Sequence, residues 1–399
     1  MAPASSKQPE ASVSRQTTRE GRDLEAPPLG RDPHSLGSLA PFFEALEQAS
    51  ADTGLVFRTD EYLAPYTTWV SPPRPAGGPP PAAPREPPNR SPALRPPMRP
   101  PPSRPSPQGT GGPARFFAEA RTKDQVRAAL AAASAHGVRA HVLGRGSNTL
   151  FDDRGFPGLV LLNRVDHEAV QLGGQSREGE GVPGDARLVV AGGGCRLNAL
   201  AWRWSERGWG GLEFAVGIPG TVGGAAFANA GAHGRSMADV VESVSVCTSS
   251  GEIVRLSGEH LGFGYRSSVL SGFDSPCVVV EATLRLNRDE GALARACEWL
   301  AARNQSQPVA GRSAGCAFRN PPGDAAGRLI DACRLKGARV GAAAVSEVHA
   351  NFVVNEGAAT SADILALLGL VEARVRQETG VALEREVVVV PWGGGPRVG

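Results

Sequence analysis

The chain reads as an α+β protein in two unequal parts, a larger one running to about residue 287 and a smaller lobe after it. Three observations predict this: a capped helix followed by strands near residue 122, a middle third that clusters β-branched residues, and a late helix closed by a strand. Residues 1 to about 40 are polar, charged and poor in aromatics, a composition expected to stay disordered. From Ser71 to Gln108 proline dominates, removing backbone donors and holding the chain extended, so no packed core is expected there. That insert is readable as a ligand for a proline-recognising domain or as a surface insertion. The second is preferred, because lengthening a loop costs little free energy.

Beyond the insert, Thr122 is placed to cap a helix carrying Val126, Leu130 and Ala133 at helical spacing, with Gly137 at the left-handed C-terminal position. Val138 to Leu143 reads as a strand that ends in the turn Gly144-Arg145-Gly146-Ser147-Asn148, and Gly158 to Leu162 reads as the next. Strand-turn-strand is the wrong context for a dinucleotide fingerprint, and Thr149 stands where its third glycine would be, so a Rossmann fold is excluded. Leu188 to Ala191, Val240 to Thr248, Glu252 to Leu256 and Cys277 to Leu286 supply further strands. Ser361 is expected to cap a helix with Ile364, Leu368, Val371 and Val375 on one face, closed by Gly380, and Glu386 to Val390 forms the last strand.

At 399 residues the chain accommodates two or three domains, and a net charge of +2 points to neither nucleic acid nor membrane surface, which favours a small-molecule enzyme. No apolar run approaches the roughly 18 residues of a membrane span, and the first residues lack the apolar core of a secretory signal. Glu10, Glu20 and Asp23 argue against an organelle-transit segment. A cytoplasmic location is expected. The six cysteines show neither CxxC pairs nor histidines at zinc spacing, so no metal is expected, and all but Cys316 are read as small buried hydrophobes.

Two stretches carry chemistry. Gly211 to Gly234, GLEFAVGIPGTVGGAAFANAGAHG, is dense in glycine and nearly uncharged, which suits a backbone in close contact with a flat, phosphate-bearing ligand. Within it Ile218, Pro219, Gly220, Thr221, Gly223 and Gly224 offer amides and one hydroxyl. One such loop also serves ordinary turns. The case rests on three together, the second being Gly144 to Asn148 and the third Asn229-Ala230-Gly231. Farther on, AGCAFRNP (314–321) sets the thiol of Cys316 in another small-residue loop, a candidate proton donor beside a cofactor cradle.

These motifs resemble, in order, those of the UDP-N-acetylenolpyruvoylglucosamine reductases, the MurB family of peptidoglycan synthesis. The similarity runs through Leu63 to Thr68, Gly111 to Ala114, LGRGSNTL (143–150), the 211–234 segment, FGYRSS (263–268), AGCAFRNP, LKGARVGAAAVSEVHANFVVN (335–355) and Leu383 to Val387. Thr53 to Val390 is covered apart from the proline insert. The resemblance implies the FAD-binding fold of vanillyl-alcohol oxidase/PCMH type with a smaller C-terminal substrate-binding lobe. It implies flavin regions at 53–163 and 164–287, a substrate domain at 288–399, and hydride transfer from NADPH through FAD to the enolpyruvyl group of UDP-N-acetylglucosamine enolpyruvate. The product would be UDP-N-acetylmuramate. Lacking an extra tyrosine-bearing loop in that lobe, the chain looks like the shorter type II branch.

Residue by residue, the resemblance implies cofactor contacts at Gly144, Arg145, Gly146, Ser147, Asn148, Thr149, Ile218, Pro219, Gly220, Thr221, Gly223, Gly224, Asn229, Ala230 and Gly231. It implies catalytic roles for Arg266, Cys316 and Glu386, and substrate contacts at Tyr265, Arg303, Arg319 and Asn320. Hydride addition leaves an enolate-like anion, which an arginine fork would stabilise, and a glutamate beside it would have to be protonated or paired with a cation to help. Cys316 stands where the family most often has a serine; a thiol is the stronger acid and is still mostly protonated at neutral pH. His233 replaces a common aromatic residue, and Lys336 and His349 stay outside the assignment.

Overall fold

Apolar side chains on both faces of two adjacent strands build the first layer. The computed structural model describes residues 36–67, 110–171, 185–273, 275–308 and 312–393, and the chain from Leu39 onward forms one compact unit. Helix α1 (Leu36–Thr53) leads into β1 (Val56–Tyr62), followed by β2 (Pro113–Ala120), α2 (Lys123–Ala135), β3 (Ala140–Leu143), β4 (Thr149–Phe151) and β5 (Phe156–Asn163). A four-stranded sheet runs β1-β2-β5-β3, antiparallel between β1 and β2 and parallel elsewhere. Phe116, Leu159 and Leu161 join one core with Val126 and Leu130 of α2, whereas Phe117, Val160 and Leu162 join another with Leu63 and Phe151. Burial of both faces explains why β5 reads as an unbroken apolar run. Thr122 caps α2 in a full capping box, and Gly137 follows at φ 63°.

Residues 36–40, assigned by composition to the disordered leader, instead begin α1. Phe42, Leu46 and Ala49 recur at helical spacing and bury, with Phe42 edge-on to Phe116 at 4.8 Å between ring centroids. That local pattern outweighs the average polarity of the leader, the rest of which lies outside the described residues. So does the proline insert, 71–108. Its flanks meet nonetheless: Tyr62 pairs with Pro113, and the Leu63 amide donates to the Gly112 carbonyl at 3.3 Å. Deleting 71–108 is therefore expected to leave the flavin-to-protein ratio and the melting temperature unchanged, and a colourless product would refute this.

The second sheet is antiparallel. Along the chain come β6 (Glu168–Gln171), β7 (Ala186–Gly192), α3 (Leu197–Glu206), β8 (Trp209–Gly210), α4 (Val222–Phe227), β9 (Gly231–Ala232), β10 (Arg235–Ser236), β11 (Val241–Cys247), β12 (Ile253–Ser257), β13 (Val278–Arg288) and α5 (Ala292–Ser306). The sheet order is β12-β11-β13-β7-β6, with β8 also on β13. Central β13 alternates: Val279, Ala282, Leu284 and Leu286 enter the core beneath α3, α4 and α5, while Val278 and Val280 turn to the core shared with α1 and α2. The two sheets thus share a hydrophobic layer.

The C-terminal part contains α6 (Ala326–Ala332), β14 (Arg339–Val340), β15 (Ala343–Val345), β16 (Val353–Asn355), α7 (Ser361–Thr379) and β17 (Val388–Val390). Its sheet is β14-β15-β16, and β17 leaves it to pair in parallel with β4 of the N-terminal part. The cap of α7 is Thr360, not Ser361: the Thr360 hydroxyl accepts from the Asp363 amide and Asp363 reciprocates. Ser361 is the first helical residue, and its hydroxyl donates to Asp153 at 2.8 Å. Thr and Ser are both good caps, and the capping partner three residues on decides for Thr360. The last strand is also shorter than predicted, beginning two residues after Glu386 and so leaving that carboxylate outside the ladder.

Candidate active site

Three glycine-rich loops come together. A Cβ at Gly144 would lie 2.7 Å from the Thr221 hydroxyl, and the Ser147 hydroxyl donates to the Pro219 carbonyl at 3.4 Å. Asn229, at φ 46°, bonds through its amide to the Gly264 carbonyl at 2.8 Å and accepts from the Ala238 amide at 2.9 Å, which fixes the loop holding Ala230 and Gly231. Gly146 sits at φ 60°, where a Cβ would come within 2.1 Å of the Tyr66 carbonyl. Both the backbone conformation and the space require glycine.

This cradle suits FAD. Among the described residues the backbone amides of Arg145, Ser147 and Asn148 donate no hydrogen bond, and the buried Oδ1 of Asn148 has no donor. The buried oxygen is costly to leave without a donor, and the amides are open to an acceptor on a ligand or to water. Gly146→Val is expected to reduce bound FAD at least tenfold, read as the flavin absorbance carried per protein, with normal flavin content counting against the cradle.

The charged cluster is assembled from three distant segments. Arg266 Nε donates to Glu386 Oε1 at 2.7 Å and Nη1 donates to the Gly231 carbonyl at 3.2 Å. Arg266 takes φ 55°, a strained left-handed conformation for an arginine. The Glu386 amide donates to the Ala317 carbonyl at 2.8 Å, and the Asn148 side chain donates to the Glu386 carbonyl at 2.9 Å. Glu386 is thereby held against both the Cys316 loop and the flavin cradle. Burial raises the pKa of its carboxyl, with Arg266 opposing. Burial likewise pushes the Cys316 thiol up to about 11, with Glu386 adding to it while Arg266 and Arg303 pull down. Arg303 is half-buried, and that burial lowers its pKa; it has no carboxylate partner among the described residues. Its stem crosses Gly217, where a Cβ would meet Arg303 Cδ at 2.3 Å.

Comparison with known proteins identifies the family. Residues 307–390 match the family described as UDP-N-acetylenolpyruvoylglucosamine reductase, C-terminal domain, and residues 114–257 match FAD binding domain. The UDP-N-acetylenolpyruvoylglucosamine reductase of Protochlamydia amoebophila is 40% identical over 71% of this chain and 90% of its own length. Reductase 2 of Symbiobacterium thermophilum is 42% identical over 72% of this chain and 88% of its own. The chain belongs to the UDP-N-acetylenolpyruvoylglucosamine reductase family. The crystal structure of the family member from Thermus caldophilus superposes with a TM-score of 0.58 at 38% identity, covering 71% of this chain and 94% of that one. The fold is accordingly the α+β, FAD-binding PCMH type.

The remaining assigned residues of this family member lie nearby. The exposed Tyr265 accepts through its hydroxyl from the Asn320 amide at 3.2 Å, and the Arg266 guanidinium lies 5.4 Å from the centre of its ring. Asn320 accepts from the Ala326 amide at 3.0 Å, and the Arg319 amide donates to the Glu384 carbonyl at 2.8 Å. Among the described residues, buried Arg319 Nε has no acceptor. His233 stacks on Trp299 at 4.9 Å between centroids, and His349 accepts from the Asn351 amide at 3.2 Å and packs edge-on to Phe352. Asn351, missed from sequence, stitches the Cys316 loop by bonds to the Phe318 amide and carbonyl at 2.9 and 2.8 Å. An amide embedded in the apolar run after His349 was the available signal. Cys297 is exposed on α5, contrary to the buried reading, whereas Cys195, Cys247, Cys277 and Cys333 are buried. A cavity of about 420 Å³ lined by Arg312, Arg339, Ser346 and Glu356 includes none of the assigned residues.

Proposed function

We propose that the chain reduces UDP-N-acetylglucosamine enolpyruvate to UDP-N-acetylmuramate at the expense of NADPH, in peptidoglycan precursor synthesis in the cytoplasm. The observation that carries this reading is the convergence of Cys316, Arg266 and Glu386 beside the flavin cradle. Bound FAD supplies the two-electron relay from the nicotinamide to the enolpyruvyl double bond. The chain supplies the proton: Cys316 Sγ–H gives it to the carbon left carrying the electron pair, so one hydride and one proton saturate the bond. Arg266 faces the charge that develops beside the substrate carboxylate, and Glu386, whose carboxyl burial shifts upward, is paired with that guanidinium and holds it in place. Tyr265, Arg319 and Asn320 contact the substrate, and half-buried Arg303, without a carboxylate partner among the described residues, takes its diphosphate. Among the described residues no helix is long and apolar enough to cross a membrane.

Reducing the protein anaerobically with NADPH and then adding the enolpyruvyl substrate tests the proposal in one cuvette. Bleaching on NADPH and return of the flavin colour on substrate is the expected result. Bleaching without recovery would assign the chain to another flavin dehydrogenase chemistry.

A further inference from the structure

Three segments that each carry an arginine meet at the edge of the cradle. Arg145 projects from the loop after β3, Arg164 follows β5, and Arg196 precedes α3. The backbone brings their segments together. Gly144 packs on the Thr221 hydroxyl, Thr221 bridges to Arg196, and the Leu197 amide donates to the Gly220 carbonyl at 3.2 Å. On the other side the Gly194 amide donates to the Val165 carbonyl at 2.9 Å, and a Cβ at Gly194 would meet the Arg164 carbonyl carbon at 2.7 Å. Arg145 and Arg196 are exposed and Arg164 is half-buried. Burial lowers the pKa of the Arg145 guanidinium, and the positive charges of Arg196 and Arg164 lower it further. Among the described residues none of the three pairs with a carboxylate; Asp166, the nearest acid to Arg164 in sequence, acts on the Cys195 thiol instead.

Like charges that act on one another repel, and an anion bound among them removes that cost. The loop that carries Arg145 also carries the undonated amides of Arg145, Ser147 and Asn148, so cations and free donors converge on one spot. Arg164 and Arg196 were not singled out from the sequence; neither lies in a glycine motif.

We infer that Arg145, Arg164 and Arg196 together receive the phosphate groups of the flavin dinucleotide and set how firmly the chain retains FAD. This extends the FAD reading of the site and is independent of the NADPH and Cys316 assignments. The same phosphate chemistry is offered by the nicotinamide nucleotide, and the two sources are separable.

The test compares the full-length holoprotein with its Arg145→Gln/Arg164→Gln/Arg196→Gln variant, following free-flavin fluorescence after dilution at low and high potassium chloride. Charge-assisted contacts of this kind predict FAD release faster by about 100-fold in the triple variant and by about tenfold in Arg145→Gln alone. The acceleration of release by salt seen in the parent should largely vanish in the triple variant. Unchanged release would overturn the inference. So would unchanged release with a KM for NADPH that rises while that for NADH does not, which would assign the arginines to the nicotinamide nucleotide. If the triple variant fails to fold by circular dichroism, exposed Arg196→Gln carries the test, with severalfold faster, less salt-sensitive release expected and parental behaviour overturning it. Parent protein that keeps FAD but cannot oxidise NADPH would refute the proposed hydride source and leave the arginine comparison intact.

Discussion

Cys316→Ala is expected to slow reoxidation of the reduced flavin by substrate about 10²- to 10⁴-fold, the range lost with a general acid, while reduction by NADPH proceeds at the parental rate. Stopped-flow measurement of the two half-reactions separates these outcomes, and equal slowing of both would show that the substitution disturbs the flavin itself. Cys316→Ser should retain activity, because a hydroxyl can deliver the same proton. The pH dependence supplies a second signature. The thiol works only when protonated, and burial, reinforced by Glu386, pushes it up to about 11. Activity therefore holds as pH rises past the ordinary thiol range and is lost only as pH climbs through about 11. The serine variant should lack that alkaline limb. A limb near pH 8.5, the unperturbed thiol range, would mean that the site is wet.

Arg266→Met should cost the same half-reaction about 10²- to 10³-fold, the usual loss when one donor to a developing negative charge is removed. It also removes the cation that opposes burial at Glu386, whose carboxyl then shifts further up. Backbone geometry separates function from folding at this position. At φ 55° an arginine is strained, so Arg266→Gly should be more stable than Arg266→Met by about 1 kcal/mol and no more active. Thermal melts and single-turnover traces on both variants give the comparison. A glycine variant that melts below the methionine variant would show that the strain is illusory.

Local signals made much of this legible. Thr122 with Gly137, and the closing Gly380 at φ 75°, mark helix ends by conformations few other residues favour. The apolar run in β5 and the β-branched run in β13 announced strands buried on both faces. What escaped was decided by partners distant in sequence. Thr360 and Ser361 are equivalent as caps until Asp153 claims the latter. Strand β4 has three residues and gains meaning only through β17. The glycine loops and the Cys316 loop were visible because their motifs are contiguous, whereas Arg266 and Glu386 were visible only through the family resemblance. Arg164 and Arg196 were not, because only the packing of Gly194 and Thr221 draws them towards Arg145.

The pairing of β17 with β4 has a consequence for how the chain matures. Asn148 and Glu386 are 238 positions apart and joined by a side-chain hydrogen bond, and the Val388 amide returns to the Asn148 carbonyl at 3.0 Å. A nascent chain leaving the ribosome can build its first sheet early, yet β4 must wait with an open edge until almost everything else has been translated. Closure of that long circuit carries the entropic penalty of distant contacts, so competence for catalysis should arrive in a late, slow step after most secondary structure is in place.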